Sequence, residues 1–414
     1  MSEPTAKRRN LVLLTAFLGW MFDGLEMGIF PLIARPALQE MQMATGEVGD
    51  AFIGRWMGII TAMFLLGAAL GGLVFGWLGD KIGRVRSMSL AILCYSLFTG
   101  LAYFAQTPEH LGILRFIAAL GMGGEWSLGV ALVMEVWPEK HRPILAGVIG
   151  AAANIGFAII ALLGLFINVT QDSWRWVVLV GATPAALTFF IRLFVPESER
   201  WLEETKKAPT QPVREILQSP ALIKMTLLGT VFAGVALIGS WGSVQWLPLW
   251  ADQMAGPDMP KAKAWTQVIG GIGSVIGCLF GSWLGGKLGR RPAYFFLCLG
   301  SLVCCAWLFR GVDTYGPLFL TLCFLVGTTT AAFYGWLPLY LPELFPTRVR
   351  ATGQGIAFNA GRVFAAVAAV QMGTLMGMFG GSYAKAGAII TLIYIVGMIV
   401  IWFAPETKGR PLPA

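Results

Sequence analysis

The sequence predicts an all-α membrane protein of twelve transmembrane helices in two six-helix bundles, and three observations carry that expectation. Of 414 residues, 56% are hydrophobic and only 13% charged, with a mean hydropathy of +0.70. That composition excludes soluble domains of the same total length. The apolar runs divide into twelve stretches, each near the length of about 20 residues that a helix needs to cross a bilayer. They lie at 11–33, 52–78, 87–106, 111–137, 144–168, 174–195, 221–250, 264–286, 293–310, 315–341, 353–379 and 384–404. Finally, a set of short motifs recurs at half the length of the chain, as an internal duplication produces.

The first span holds the stretch around which the others are organised. Within LGWMFDGLEMGIF, Asp23 and Glu26 stand three positions apart and share one helical face. A charge in mid-membrane costs at least about 2.5 kcal/mol on insertion scales, so such groups face a partner or a water-filled path. The pair is therefore a candidate ion-coupling element. Lys7, Arg8 and Arg9 precede this span, but no small-residue cleavage site follows it. It reads as a retained helix rather than a signal peptide.

With the amino terminus placed inside, 20 of the 30 Lys and Arg fall on cytoplasmic segments or the span end next to them. This asymmetry predicts both termini in the cytoplasm. The net charge of +8 is then a consequence of topology, and no nucleic-acid partner is implied. The six cysteines, Cys94, Cys278, Cys298, Cys304, Cys305 and Cys323, all fall in apolar spans without metal-ligand spacing. Neither a disulfide framework nor a zinc site is expected.

Three motif pairs define the duplication. DKIGRVR (Asp80 to Arg86) recurs as GKLGRRP, with Gly83 and Gly289 206 residues apart; EVWPEKHR (Glu135 to Arg142) recurs as ELFPTRVR at an offset of 208; PESERW recurs as PETKGR at 209. They keep the same order and fall on one side of the membrane. The expected units are 1–195, a polar linker 196–220 containing Glu197, Glu199, Glu203, Glu204, Lys206 and Lys207, and 221–414. Acids sit among the bases of these loops, so Asp80 with Arg84 or Arg86, Glu135 with Arg142, and Glu343 with Arg348 or Arg350 are candidate gating pairs. The bland alternative is that these charges only enforce topology.

GWLGDKIGRVRS resembles the loop signature of the Major Facilitator Superfamily, and GGKLGRRP stands where its second copy belongs. PESERW, PELFPTRVRATG and PETKGRPL are similar to the sugar-porter and organic-ion branch. GMGGEWSLGVALVMEVWP, with DGLE in the first span, resembles the bacterial metabolite and aromatic-acid proton symporters, among them sialate and lactate carriers. The resemblance covers essentially the whole chain. It departs at Gly286, which replaces the acid of the second loop, and at Glu26, where aromatic-acid carriers have a second Asp. RFIAALGMGGEW resembles the Arg-plus-glycines motif of sugar porters, which implies that Arg115 engages Asp23 and senses its protonation. A buried acid needs a counter-charge on physical grounds as well.

No hydrolytic or redox motif is visible, and His110 and His141, the two histidines, lie near span ends. If a proton is coupled, carboxylates must carry it; the acids within spans are Asp23, Glu26 and Glu125. Glu125 reads equally as a second proton site, a substrate contact or a structural acid. In the second half Arg362 lies inside the eleventh span with Asn359 one turn before it, and no acid shares the second-half spans. An unpaired guanidinium there is a natural anchor for a carboxylate. Trp241, Gln245, Tyr334 and Trp336 supply aromatic and polar surface for a partly apolar solute, with Asn154 and Gln267 as further polar candidates.

The resulting expectation is alternating-access, proton-coupled symport of a small organic anion, a monocarboxylate, with Arg362 holding the carboxylate and Asp23 and Glu26 taking the proton. No enzymatic activity is expected. No cofactor is expected beyond the proton, since no GxxxxGK[ST] run exists. The expected setting is a bacterial inner membrane, and the expected working unit a monomer in lipid. The competing expectations are a neutral, sugar-like cargo with Arg362 structural, proton-driven efflux of amphipathic compounds, and a non-transporting sensor.

Overall fold

The computed structural model describes residues 6–45, 50–166, 169–184, 186–187, 194–195, 197–199, 201–203, 211–256, 259 and 261–413. Glu204, Lys206 and Lys207 of the expected linker lie outside them. Among the described residues regular structure is entirely helical. The first half supplies α1 (Ala6–Thr45), α2 (Asp50–Ile82), α3 (Arg84–Leu101), α4 (Pro108–Val136), α5 (Arg142–Phe166) and α6 (Trp174–Val180). A short α7 (Pro212–Gln218) precedes the second half. That half supplies α8 (Pro220–Gly242), α9 (Leu247–Ala255), α10 (Ala262–Leu288), α11 (Arg290–Gly311), α12 (Pro317–Tyr340), α13 (Arg350–Met378), α14 (Tyr383–Ile390) and α15 (Ile393–Val400).

Among the described residues ten helical segments are long and apolar enough to cross a membrane, and they match ten of the expected spans. The sixth, 174–195, falls partly outside the described residues. The eleventh is α13, which stands apart from these ten: a helix of 29 residues carrying Thr352, Gln354, Asn359 and Arg362, all four buried. The seventh is interrupted. Ser243, at φ −133° and ψ −55°, ends α8, and a short turn leads into α9. Helix α1 runs well beyond its expected end, and its 40 residues make a rod of about 60 Å. Its extension is tied down by Glu40, which accepts from Trp174 Nε1 at 2.5 Å and pairs with Arg175.

The duplication is visible atom by atom. A single glycine joins α2 to α3 and another joins α10 to α11, Gly83 at φ 112° and Gly289 at φ 100°, a backbone that side chains rarely adopt. A carboxylate then caps each following helix. Glu197 accepts from the backbone N–H of Arg84 (2.8 Å) and Val85 (3.1 Å). Glu406, 209 residues on, accepts from Arg290 (2.9 Å) and Arg291 (3.1 Å). Burial pushes the Glu197 carboxyl above its ordinary range. Burial acts the same way on Glu406, but three backbone N–H groups and Arg290 outweigh it and hold that carboxyl below.

The halves meet at the ends of their helices nearest the two chain termini. Thr347 and Arg350 both donate to the carbonyl of Pro413, while Trp137, at the end of α4, donates to the carbonyl of Arg9. On that same face α5 seats against α10 and α12: Pro143 stands where a side chain on Gly286 would, and the backbone of Tyr334 abuts Gly150. Cys278 Sγ donates to the carbonyls of Gly150 (3.3 Å) and Ala331 (3.2 Å). Helix α2 meets α13 in the same way, through Gly72, Gly76 and Gly79. Small residues are what let helices in lipid approach this closely.

Two measurements check this packing. Gly150→Val places side-chain atoms on the Tyr334 carbonyl and forces the halves apart, so Cys278, now fully buried, becomes alkylated by about tenfold faster, a shift of roughly 1.4 kcal/mol. Peptide mass spectrometry reads the rate. Glu406→Gln lowers the melting temperature near pH 7. A depressed folded pKa stabilises above the unfolded value and that stabilisation is lost as pH falls through the folded one, so variant and parent converge on acidification.

Candidate functional site

Three carboxyls lie inside the first half. Asp23, Glu26 and Glu125 are 0%, 1% and 2% exposed. Helix α4 reaches α1 because Gly19, one turn before Asp23, leaves open the space in which Glu125 Oε1 sits. The Asp23 and Glu125 carboxyls therefore face each other within hydrogen-bonding reach. None of their four oxygens has another hydrogen-bond partner among the described residues. An ionised carboxylate only accepts, so this contact is bonded only with a proton between the two. The Tyr95 hydroxyl on α3 and Trp20 Nε1 on α1 are also buried and unbonded.

Arg115 corrects the expectation placed on it. Its Nη1 donates to Glu26 Oε1 at 2.5 Å, not to Asp23. Thr99 Oγ1 completes the site at 3.1 Å, and the guanidinium lies between the rings of Phe30 (5.0 Å) and Phe64 (4.9 Å). The reason is helical: Glu26 is three residues beyond Asp23, toward the end of α1 at which α4 begins with Arg115 in its second turn. The resemblance and the need of a buried acid for a counter-charge both pointed to Asp23, and neither separates it from Glu26 one turn away.

Arg362 enters from the other half. It is 4% exposed, its Nη1 donates to Asn359 Oδ1 at 2.7 Å, and its guanidinium lies 5.3 Å from the Phe358 ring. Asn359 in turn donates to the carbonyls of Gly123 on α4 (2.8 Å) and Gly355 (3.0 Å). Phe358 stacks on Trp126, the neighbour of Glu125, with centroids 4.1 Å apart. Gln354 Nε2 also reaches the carbonyl of Ser127. Asn359 was expected as a cargo contact, but its amide is already committed, and it positions Arg362 instead. Arg362 was expected without a paired acid. No carboxylate forms an ion pair with it among the described residues, yet Asp23 acts on it electrostatically across the two halves.

The remaining candidates divide. Tyr334 lies near Arg362 and Ser240, and Asn154 donates to Cys278 Sγ at 3.5 Å where the halves touch. Trp336 is a correction: it is fully buried, and its Nε1 donates to the carbonyl of Arg290 at 3.0 Å. Tyr294 and Tyr340 pack against it, so it is core under the gate. Gln245 is exposed in the turn after α8 and Trp241 half-buried beside it. Gln267 is half-buried near the start of α10, about three turns before Cys278.

The loop charges form a lock between the halves. Asp80 pairs with Arg84 and accepts from Thr352 N (2.8 Å) and Oγ1 (2.6 Å) on α13. Arg84 reaches Glu135 at 3.2 Å and the Thr347 carbonyl at 2.8 Å. Glu135 also accepts from Arg350 (2.9 Å) and Ser198 (2.6 Å). Several expected partners differ. Glu343 is gripped by both arms of Arg290 (2.9 and 2.6 Å) rather than by Arg348 or Arg350. Arg348 binds Glu215 and Arg142 binds Glu139, and Arg86 is exposed. Motif spacing identified the charges but not their partners, because the acid facing Arg350 comes from the other half. The carboxylates Glu197 and Glu406 that cap the loops went unassigned, although their recurrence at 209 was a signal for them.

A helical membrane chain whose halves close over buried acids and a buried guanidinium, with a lock on one face, is a carrier and not an enzyme. The model of the Major Facilitator Superfamily matches residues 12–370, and the chain belongs to that family. It is similar to the inner membrane metabolite transport protein YgcS of Escherichia coli, 30% identical over 387 residues covering 86% of this chain and 84% of that one. It is also similar to the cis,cis-muconate transport protein of Acinetobacter baylyi, 27% identical and covering 97% and 96%. The fold matches the proton:xylose symporter XylE bound to 6-bromo-6-deoxy-D-glucose, with a TM-score of 0.85, 18% identity, and 99% and 98% coverage.

Glu135 balances two guanidinium groups whose side chains, like its own, are wholly buried. Glu135→Ala takes the buried carboxylate from Arg350 and leaves Arg84 with Asp80 alone, and lowers stability by about 3 kcal/mol or more. Thermal denaturation of the purified chain measures this, and a loss no larger than that of a surface acid refutes the role given to Glu135.

Proposed function

We propose that this chain is a twelve-helix carrier of two six-helix bundles, 1–195 and 221–414, that takes up a small organic anion, a monocarboxylate, together with a proton. The observation that carries the reading is Arg362, a buried guanidinium where the halves meet. Asn359 and Phe358 hold it in place, and among the described residues it has no carboxylate in an ion pair with it. A guanidinium grips a carboxylate bidentately, and burial strengthens that grip by excluding water. The muconate carrier among the relatives supports an organic anion as cargo, since muconate is a dicarboxylate. The basic loops favour placing both termini in the cytoplasm of a bacterial inner membrane. The locked face is then the cytoplasmic one, and the cargo enters from outside.

In this reading Asp23 and Glu125 hold the coupled proton. Glu26 with Arg115 forms a neutral pair that braces α1 against α4, while the glycines of α2, α5 and α10 let the halves rock. Opening the inner face requires Asp80, Arg84, Glu135 and Arg350 to separate, and the second-half pair Arg290 with Glu343 stays intact through the cycle.

Uptake of radiolabelled benzoate and cis,cis-muconate into proteoliposomes under an inward proton gradient tests this. Benzoate, the monocarboxylate, accumulates, an uncoupler abolishes accumulation, and Arg362→Ala lowers initial uptake by about a hundredfold, the loss of roughly 3 kcal/mol of charge-assisted binding; uptake of the dicarboxylate muconate alone contradicts the monocarboxylate reading. Uptake of sugars with neither carboxylate carried, or uptake indifferent to the gradient, contradicts the proposal.

A further inference from the structure

Resting on that reading and deepening it, we infer that Arg362, and not Arg115, is the counter-charge of the Asp23 and Glu125 pair. Protonation of that pair and release of Arg362 to an incoming anion are then one equilibrium that spans the two halves.

The geometry divides the buried charges into two groups. Arg115 is spent on Glu26 at 2.5 Å, enclosed by Phe30 and Phe64. Asp23 and Glu125 are left with four unbonded buried oxygens. The cation acting on Asp23 is Arg362. Its helix is fixed to α4 right beside Glu125, by the bond from Asn359 to the Gly123 carbonyl at 2.8 Å and by the Trp126 and Phe358 stack at 4.1 Å. Other titratable groups facing the pair are Glu26 on α1 and Tyr95 on α3. Tyr334 on α12 faces Arg362. Helix α5 packs on α1 through Ala153 and Gly156, with no titratable group at that contact among the described residues.

The consequence follows from charge balance. With Arg362 unoccupied, one proton shared by the two acids leaves a single negative charge opposite a single positive one. A carboxylate that binds Arg362 takes that positive charge away, and the acid pair must gain a second proton to remain neutral where it is buried. Cargo and proton are thus drawn in together by competition for one guanidinium, and no movement of Arg115 is required.

Infrared spectroscopy of the full-length chain in lipid nanodiscs, without cargo, reads the protonated carboxyl band as pH is varied. Asp23→Asn and Glu125→Gln locate the contribution of each acid. Arg362→Ala removes the counter-charge and moves the midpoint of that band upward by about one pH unit or more, the effect of losing a nearby opposite charge, while Arg362→Lys largely restores it. Arg362→Gln serves if the alanine variant does not fold. An unmoved midpoint in the Arg362 variants overturns the inference, as does a shift produced instead by Arg115→Gln. Because no cargo is present, either result is independent of whether organic anions are carried, which uptake decides separately.

Discussion

The site depends on one seam, the meeting of α4 with α13. Asn359 crosses it to the Gly123 carbonyl, Gln354 crosses it to Ser127, and Phe358 stacks on Trp126. These contacts fix where Arg362 points, and they do so one or two residues from Glu125. In a bilayer, where a stray charge is costly, the seam supplies what neither half has alone. The first half has acids in excess of its buried bases, and the second has a guanidinium with no acid in its spans. Glycine makes the seam narrow enough: a side chain at Gly72 would collide with Asn359.

The lock on the terminal face follows the same economy with an asymmetric outcome. Both halves keep an arginine after the loop glycine, an acid at the end of the fourth helix of the repeat, and a capping glutamate, and within each half these bond alike. Arg84 and Arg290 each donate to the carbonyl five residues before them, Gly79 and Gly285. Divergence at Asp80 and Gly286 makes the difference. Asp80 reaches Thr352 in the other half, whereas Gly286 only makes room for Pro143. One repeat holds the gate, and the other supplies the surface it closes on.

Much of this was legible in the sequence, and the remainder was not for identifiable reasons. Hydropathy located ten of the spans among the described residues, the motif offsets located the duplicated loops, and the rarity of intramembrane charge singled out Asp23, Glu26, Glu125 and Arg362, all of which are buried. Partner choice was out of reach. Whether Arg115 meets Asp23 or Glu26 depends on the axial offset of α1 and α4, less than one helical turn. Whether Arg350 meets Glu343 or Glu135 depends on which half lies opposite, a contact 215 residues apart in the chain. Aromatic residues misled in one direction: Trp336 looked like cargo surface, but its indole N–H is used by a backbone carbonyl.

In the proposed cycle Arg362 receives the anion. A cryo-EM structure of the chain with bound benzoate or cis,cis-muconate, whichever is taken up, measures it directly. The account predicts the carboxylate within about 2.7–2.9 Å of the Arg362 guanidinium, between the halves and above the Trp126 and Phe358 stack. A carboxylate seated on Arg115, or held away from both arginines while Arg362 stays on Asn359 alone, contradicts it.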